Sequence, residues 1–464
     1  MPGSLRTDLP AGPTRPRRRA LRLRRLCAAG LLAAAAAAPV QAQSLVELFE
    51  AARTYDAALL AARAQADAAV HRQTQAAAAQ RPTLALQAQA THVRRDQPGA
   101  AGGSGQGQIA AGTLSARYPL FNRASDAAVA QAARAVESAQ AELALAEHEL
   151  IVRLAQAYFD VLVAVETLAT AQAAMVAIAE QLAAARRAFE VGTATITDTH
   201  EAQARFDLAR AREIQADNDL RIKRIVLDQL VGRSGVQPHA LAPAAALPVT
   251  APVGIEAWVG LAEDAHPQLR RARLALDVAQ LETERARAAR LPTVDAIASL
   301  QHSRNFATSG IGAALGPTEG GFTNGQIGVQ LNWVLGSGGA IDGRIAETQA
   351  LLTRARHELQ GAQRGVAQAT RQAYIALRSG EAEIGALVAA EASSRLALEA
   401  TQTGYRVGVR VNLDVLNAQS QLFATRRDLA AARYQVLLRA LRLRQAAGSL
   451  SGEDLRAIGR LLQP

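Results

Sequence analysis

Two segments of this chain carry the same turn in the same setting. Phe189-Glu190-Val191-Gly192-Thr193-Ala194-Thr195-Ile196-Thr197-Asp198, followed by Ala202-Gln203, matches Tyr405-Arg406-Val407-Gly408-Val409-Arg410-Val411-Asn412-Leu413-Asp414, followed by Ala418-Gln419, at an offset of 216 residues. At that offset Gln156-Ala157-Tyr158 also matches Gln372-Ala373-Tyr374. Pro82-Thr83 matches Pro292-Thr293, and Ala52, Leu59 and Arg63 match Ala262, Leu269 and Arg273, at an offset of 210. Alanine bias explains some of the alanines but not the ordered Gly–Asp pairs. The chain is therefore read as a duplication, with a first repeat over 43–231, a linker over 232–255 (Pro238, Pro243, Pro248, Pro252), a second repeat over 256–447 and a tail over 448–464.

Each repeat has the same parts. Residues 44–81 and 256–290 read as helices. Residues 124–190 contain neither Gly nor Pro and predict a helix about 100 Å long, at a rise of about 1.5 Å per residue. Their counterpart, 340–403, has glycines (Gly343, Gly361, Gly365, Gly380, Gly385) but no proline. Helix resumes over 198–231 and 412–447. Gly192 and Gly408 suit the left-handed residue that ends a helix, and Asp198 and Asn412 or Asp414 suit the caps that start the next. Each repeat thus ends in a long antiparallel helical hairpin. Aromatic residues make up 3% of the chain against 49% hydrophobic residues overall, which suits long helices packed closely on small side chains.

Period-two segments lie between the helices. Leu84, Leu86, Ala88 and Ala90 alternate with Thr83, Ala85, Gln87 and Gln89; Val294, Ala296, Ala298 and Leu300 alternate with Thr293, Asp295, Ile297 and Ser299. Ile327, Val329, Leu331 and Trp333 alternate with Gln326, Gly328, Gln330 and Asn332, and residues 108–120 place Leu114, Ala116, Tyr118 and Leu120 on one face. Roughly ten residues each suits a tilted strand crossing a bilayer with one lipid face and one wet face. The glycine-rich stretches 97–107 and 308–325 read as the loops joining these strands in pairs. Four strands leave two open edges, and a membrane-spanning sheet needs closed ones, so copies of the chain must close the wall. Two chains give eight strands, three give twelve and four give sixteen, and the spacing does not choose among them.

The leader explains most of the charge. Residues 1–42 hold Arg6, Arg15, Arg17, Arg18, Arg19, Arg22, Arg24 and Arg25 against Asp8, so +7 of the formal +10 sits there and about +3 remains. The later arginines alternate with acids and form no basic stripe, which argues against nucleic acid. An arginine-rich stretch, an apolar run from Leu26 to Val40 and the small residues of Val40-Gln41-Ala42 read as a secretory signal peptide cut after Ala42. The single cysteine, Cys27, precedes most of the apolar run and fits a lipobox poorly. No later run is uniformly apolar for 18 residues, so no membrane helix is expected.

Enzyme chemistry finds no footing. His71, His92, His148, His200, His239, His266, His302 and His357 are scattered without metal spacing. Gly336-Ser337-Gly338-Gly339 stands between strand and helix as a phosphate loop would, but Ile341 breaks the dinucleotide pattern and no Gly-Lys-Ser/Thr follows. It reads as a tight junction, and no cofactor is expected.

The order helix, two strands, long helix, Val-Gly turn, helix, given twice over 44–447, resembles the TolC-type outer-membrane factor family. The motifs Phe189-x-Val-Gly-x-x-x-Ile-Thr-Asp198 and Tyr405-x-Val-Gly-x-Arg-x-x-x-Asp414-Val-Leu carry the resemblance. It implies a mainly α fold with β: a trimer whose four strands per chain form a twelve-stranded outer-membrane barrel, continuing into a periplasmic helical tunnel. It also implies a periplasmic adaptor, an inner-membrane ABC transporter, outer-membrane lipid and an exported protein as partners. The non-lipidated leader and long helices resemble the type I secretion members, including exporters of large RTX-type toxins such as adenylate cyclase–haemolysin.

Carried across by motif, Asp198 pairs with Tyr405 and Thr197 with Arg410, holding the periplasmic tips closed. Asp414 matches the first of two acids that ring the narrowest opening, and Asn417 replaces the second. Val191, Gly192, Val407 and Gly408 are the tip residues that meet the adaptor, with turn formation as their simpler role. Tyr118 and Trp333 are expected in a membrane-interface belt. A small-molecule efflux duct of the same architecture is the alternative function, and a periplasmic coiled-coil adaptor is the alternative of another class.

Overall fold

A computed structural model describes residues 43–95, 105–241, 252, 254–307 and 319–462. The leader over 1–42, the central parts of both strand-joining loops and residues 242–250 of the linker lie outside the described residues. The element order is α1 (Leu45–Tyr55), α2 (Ala57–Ala78), β1 (Thr83–Arg95), β2 (Gly105–Phe121), α3 (Arg123–Glu190), α4 (Ile196–Val231), then α5 (Ile255–Ala265), α6 (Pro267–Ala288), β3 (Thr293–Ala307), β4 (Glu319–Asn332), α7 (Ala340–Arg406) and α8 (Asn412–Ala446), ending in α9 (Gly452–Gly459). The second half repeats the first element for element.

Each expected opening helix is in fact two. Asp56 leaves the helical region (φ −61°, ψ 116°), and its carboxylate accepts the Leu59 N–H at 2.8 Å, so it closes α1 and caps α2. His266, at the 210-residue offset, does the same between α5 and α6, with Nδ1 accepting the Gln268 N–H at 3.1 Å. Asp56 also takes Arg153 of α3 through both oxygens at 3.1 Å, which ties the break to the long helix.

α3 runs for 68 residues and α7 for 67, each folding back on its partner α4 or α8. The apolar face of α3 (Leu154, Tyr158, Phe159, Val161, Leu162) forms the centre of the main core with Leu45 and Leu48 of α1, Leu220 and Leu227 of α4, and Leu437, Leu438 and Leu441 of α8. α3 also departs from expectation in containing one 18-residue window with mean hydropathy 1.8. Only 22% of that window is buried within the chain, so core packing accounts for part of it and the rest of the apolar face is left open. The tail is not loose: Leu455, Ile458 and Leu462 are buried in this core beside Val236 of the linker. The buried Tyr158 hydroxyl accepts the His239 N–H at 2.7 Å and donates to the His239 carbonyl, which fixes the linker's first turn. A second core joins Trp258, Ala262 and Leu269 to Leu377 of α7 and to Val436 and Leu443 of α8.

His266 is buried, and desolvation, with His148 nearby, holds its pKa below the usual histidine value of 6.5; burial also lowers His148. A histidine depressed on folding is destabilising once the unfolded chain can take up a proton and the folded one cannot. The protein is therefore expected to keep its stability above about pH 6.5 and lose it as pH falls through that value. Thermal melts from pH 7.5 to 5 check this: His148→Gln with His266→Asn, which retains a capping acceptor, flattens the acid side of the curve. An unchanged slope would assign the acid sensitivity to other groups.

The four strands form one antiparallel sheet in the order β1-β2-β3-β4, so the β2–β3 pairing joins the two repeats. At 13, 17, 15 and 14 residues, the strands are longer than the ten expected. Part of each glycine-rich stretch pairs instead of looping: Gly107 stands opposite Ala307, Gly321 opposite Arg304 and Gly325 opposite Leu300. Glycine disfavours a strand by entropy, but a ladder that satisfies its backbone on a neighbour outweighs that preference.

Candidate functional site

The pairing register sorts the side chains into two unlike faces. Leu84 and Leu86 align with Ala116 and Leu114, these with Ala298 and Leu300, and Ala298 with Ile327. Ile327 is 91% exposed and Leu86 77%, with Val329 and Leu331 also uncovered, so this face is apolar and open. An apolar patch of this breadth, with nothing packed on it in the chain, is the outer face of a membrane sheet. The opposite face carries Gln87, Ser115, Ser299, Gln326 and Gln330. Trp333 follows β4 on the apolar side and donates its indole N–H to the Arg290 carbonyl at 3.0 Å, while Tyr118 stands opposite Ala296 near the end of β2. Both aromatics are exposed at the end of the sheet where the helices begin.

On the polar face, Arg117 of β2 reaches Asp295 of β3, Nη2 to Oδ2, at 2.6 Å, and the Asp295 side chain is 1% exposed. This pair locks the two repeats together across the central strand pairing. Removing Arg117 strands a buried carboxylate, which costs about 3–5 kcal/mol where both partners are buried and less here, since Arg117 is largely exposed. Arg117→Ala is expected to lower stability by about 1–2 kcal/mol, read as a lower temperature for loss of the heat-modifiable barrel form on a gel. Unchanged migration at every temperature would remove the pair from the account.

At the other end are the two tips. In the first, Gly192 (φ 78°) turns the chain out of α3, and the Thr193 N–H reaches back to the Ala188 carbonyl at 2.9 Å. In the second, Gly408 (φ 80°) does the same, with the Val409 N–H on the Gly404 carbonyl at 2.9 Å. The caps differ from expectation. Thr195, not Asp198, caps α4: the Asp198 N–H donates to Thr195 Oγ1 at 3.2 Å and the Thr195 N–H donates to Asp198 Oδ2 at 3.0 Å. Val411 precedes α8 and has no side-chain acceptor, so only half of that reciprocal arrangement forms, with the Val411 N–H on Asp414 Oδ2 at 3.4 Å. A carboxylate in the third helical position can reach back to the cap residue's N–H, which is why both aspartates sit one turn inside the helix.

Arg410, in the turn before α8, lies across Gly404 and points its guanidinium at Asp414 of α8, 3.7 Å away. Asp198 is likewise engaged by Thr195, whose hydroxyl donates to it at 2.7 Å. Among the described residues, no hydrogen bond within the chain joins Asp198 to Tyr405 or Thr197 to Arg410. Toward the tips, the two hairpins of one chain are joined by a set that sequence reading missed. Leu416 of α8 is 0% exposed and packs among Ile178, Leu182, Ala185, Ala202 and Ala209 of the first hairpin. Gln181 donates to buried Asn412, and Arg205 donates to the Asn417 side chain at 3.0 Å. Residues 212 and 231 positions apart leave no local pattern to find; only Leu416, at helical spacing from other α8 apolar residues, had a signal. Val191, Val407 and Val409 are exposed, the last at 78%.

An open apolar sheet face at one end of two helical hairpins defines a class: a membrane channel subunit whose helices extend to one side of the bilayer. The model of the outer membrane efflux protein family matches residues 48–233 and 258–449, once over each repeat. The outer membrane protein TolC of Vibrio cholerae is 31% identical over 419 residues, covering 90% of this chain and 93% of that protein. The alkaline protease secretion protein AprF of Pseudomonas aeruginosa is 32% identical over 353 residues, covering 75% of this chain and 71% of that protein. In fold, the outer membrane protein VceC of Vibrio cholerae superposes with a TM-score of 0.74 at 21% identity, over 88% of this chain and 96% of that one. The chain belongs to the outer membrane efflux protein family, as a TolC-type outer-membrane factor. It resides in the outer membrane with its helices in the periplasm, and it is a channel component, not an enzyme. A periplasmic adaptor, the alternative of another class, is thereby set aside.

Proposed function

We propose that three copies of this chain close a twelve-stranded barrel and act as the outer-membrane duct of a type I secretion system. The observation that carries the reading is the sheet itself. Its apolar face is exposed, and among the described residues β1 and β4 each keep one edge without a strand partner. A membrane interior tolerates neither an open edge nor an unsatisfied backbone, so the edges pair with those of neighbouring copies. Protein cargo is supported by the similarity to a protein named for protease secretion. An inner-membrane ABC transporter and a periplasmic adaptor complete the pathway, and an RTX-type toxin is the narrower expectation for the cargo. Val191, Gly192, Val407 and Gly408 meet the adaptor at the tips.

In the closed duct, Asp198 with Tyr405 and Thr197 with Arg410 link hairpins across the assembled mouth, and three copies of Asp414 ring it. Asn417 leaves that ring with one acid per chain, which weakens attraction for cations. The second reading is a small-molecule efflux duct, whose support is the word efflux in the family's description. Deleting the gene separates them: loss of a protein from the culture medium with unchanged drug sensitivity supports secretion. Drug sensitisation with an intact set of secreted proteins supports efflux and overturns the secretion reading.

A further inference from the structure

The outward face of the sheet does not stay apolar to its end. Along β1 it runs Leu84, Leu86, Ala88, Ala90 and then His92 and Arg94; along β3 it runs Val294, Ala296, Ala298, Leu300 and then His302, Arg304 and Phe306. The ladder makes these positions neighbours. Ala110 stands between Ala90 and Arg304, and Gln108 between His92 and Phe306. An acid, Glu319, stands opposite Phe306 in the last rung.

Position along the strand says where the bilayer must end. From Leu84 to Ala90 the strand rises about 20 Å at about 3.3 Å per residue, most of the ~25 Å height of a barrel's apolar band. An arginine on the lipid face costs about 2–4 kcal/mol at the midplane and close to nothing at the interface, so Arg94 and Arg304 belong at the headgroups. The helices leave the sheet at its other end, through Thr83, Phe121, Thr293 and Asn332, so this rim is the one facing the cell exterior. His92, Arg94, His302 and Arg304 are all exposed, and the Arg304 guanidinium lies 5.3 Å from the Phe306 ring centroid, a contact that holds the group at the surface without neutralising it.

We propose that this rim binds the phosphate groups of the phosphorylated glycolipid of the outer leaflet, with Arg94 and Arg304 as the principal contacts and His92 and His302 beside them. The outward direction of the rim and its continuity with the lipid face select a lipid over a soluble anion. Arginine's planar fork takes a phosphate through two parallel hydrogen bonds, which suits it to this task. Two strands across and four residues along, the Cα atoms of Arg94 and Arg304 stand roughly 16 Å apart, a spacing for a headgroup carrying two phosphates. The inference rests on the closed-barrel reading.

The test uses full-length protein in detergent, offered lipid A in its diphosphoryl and its dephosphorylated forms, with retained lipid counted by native mass spectrometry. The wild type is expected to retain the diphosphoryl form about thirtyfold better, at roughly 1 kcal/mol for each of the two arginines near an anionic surface. Arg94→Gln with Arg304→Gln loses that preference, and Arg94→Lys with Arg304→Lys keeps most of it. Equal retention of both lipids by the wild type, or an unchanged preference in the glutamine variant, overturns the proposal. A wild type that never forms a heat-modifiable oligomer overturns the barrel reading and this proposal with it; such an oligomer without lipid preference overturns the proposal alone. Should the glutamine variant not assemble, the wild-type comparison of the two lipids decides.

Discussion

Gly448→Ala is expected to prevent stable assembly, whereas Gly408→Ala, a chemically identical change at another left-handed turn, is expected to be tolerated. Both glycines adopt positive φ, 70° and 80°, which costs an alanine about 1–2 kcal/mol. They differ in what surrounds them. A Cβ on Gly448 meets the His266 Cα at 2.5 Å, its N at 2.9 Å and the Ala265 carbonyl carbon at 3.1 Å, all backbone atoms that cannot rotate aside. A Cβ on Gly408 meets nothing within 4 Å. Overpacking against fixed backbone adds about 1–3 kcal/mol, so Gly448→Ala loses about 2–5 kcal/mol in all. The yield of oligomer that resists SDS, followed against temperature, measures the difference. Equal losses at the two sites would show that backbone strain alone, not the close approach, sets the cost. Gly232 (φ 72°), at the same 216-residue offset, would press a Cβ on Cγ of the Tyr55 ring at 2.5 Å; the exposed Tyr55 side chain can swing aside about its Cα–Cβ bond, so Gly232→Ala falls between the other two.

The second large effect concerns the mouth. Asp198→Ala combined with Arg410→Ala is expected to raise single-channel conductance in planar bilayers severalfold, with each single variant raising it less. In an isolated chain these groups turn inward, Asp198 to Thr195 and Arg410 to Asp414, so a link between hairpins must compete with local partners already in place. In the proposed gate, that competition would keep the links weak and reversible. Asp198→Ala also loses its part of the reciprocal cap, about 1 kcal/mol, confined to the start of α4. Conductance unchanged in both single variants and in the double variant would leave Asp198 and Arg410 as local helix-end residues. The Leu416 cluster offers the contrast, because Leu416→Ala loosens the α8 tip through packing and leaves every charge in place.

The duplication was readable because it needs only comparison within the chain. Helix and strand types were readable too, since a 68-residue stretch without Gly or Pro and four period-two segments each leave a local pattern. Strand ends were not, because Gly105–Gly107 and Glu319–Gly325 are extended by partners on neighbouring strands and not by their own preference. The break at Asp56 was missed because the helical pattern continues through it, whereas the break at His266 had a signal that the reading passed over, Pro267 at the first position of α6.

The repeat itself, the two glycine turns and the alternating strand faces followed from the sequence alone, because steric limits on φ and the two-residue period of a strand act within a few residues. Tertiary structure decided the rest. It showed that the tail and the linker complete the core, that Gly232 and Gly448 are close-packing positions related by the repeat, and that Asp295 is buried under Arg117. It also placed Asn412, Leu416 and Asn417 against the opposite hairpin. These are contacts between residues tens to hundreds of positions apart, and their energy depends on which surfaces meet, which no local pattern contains.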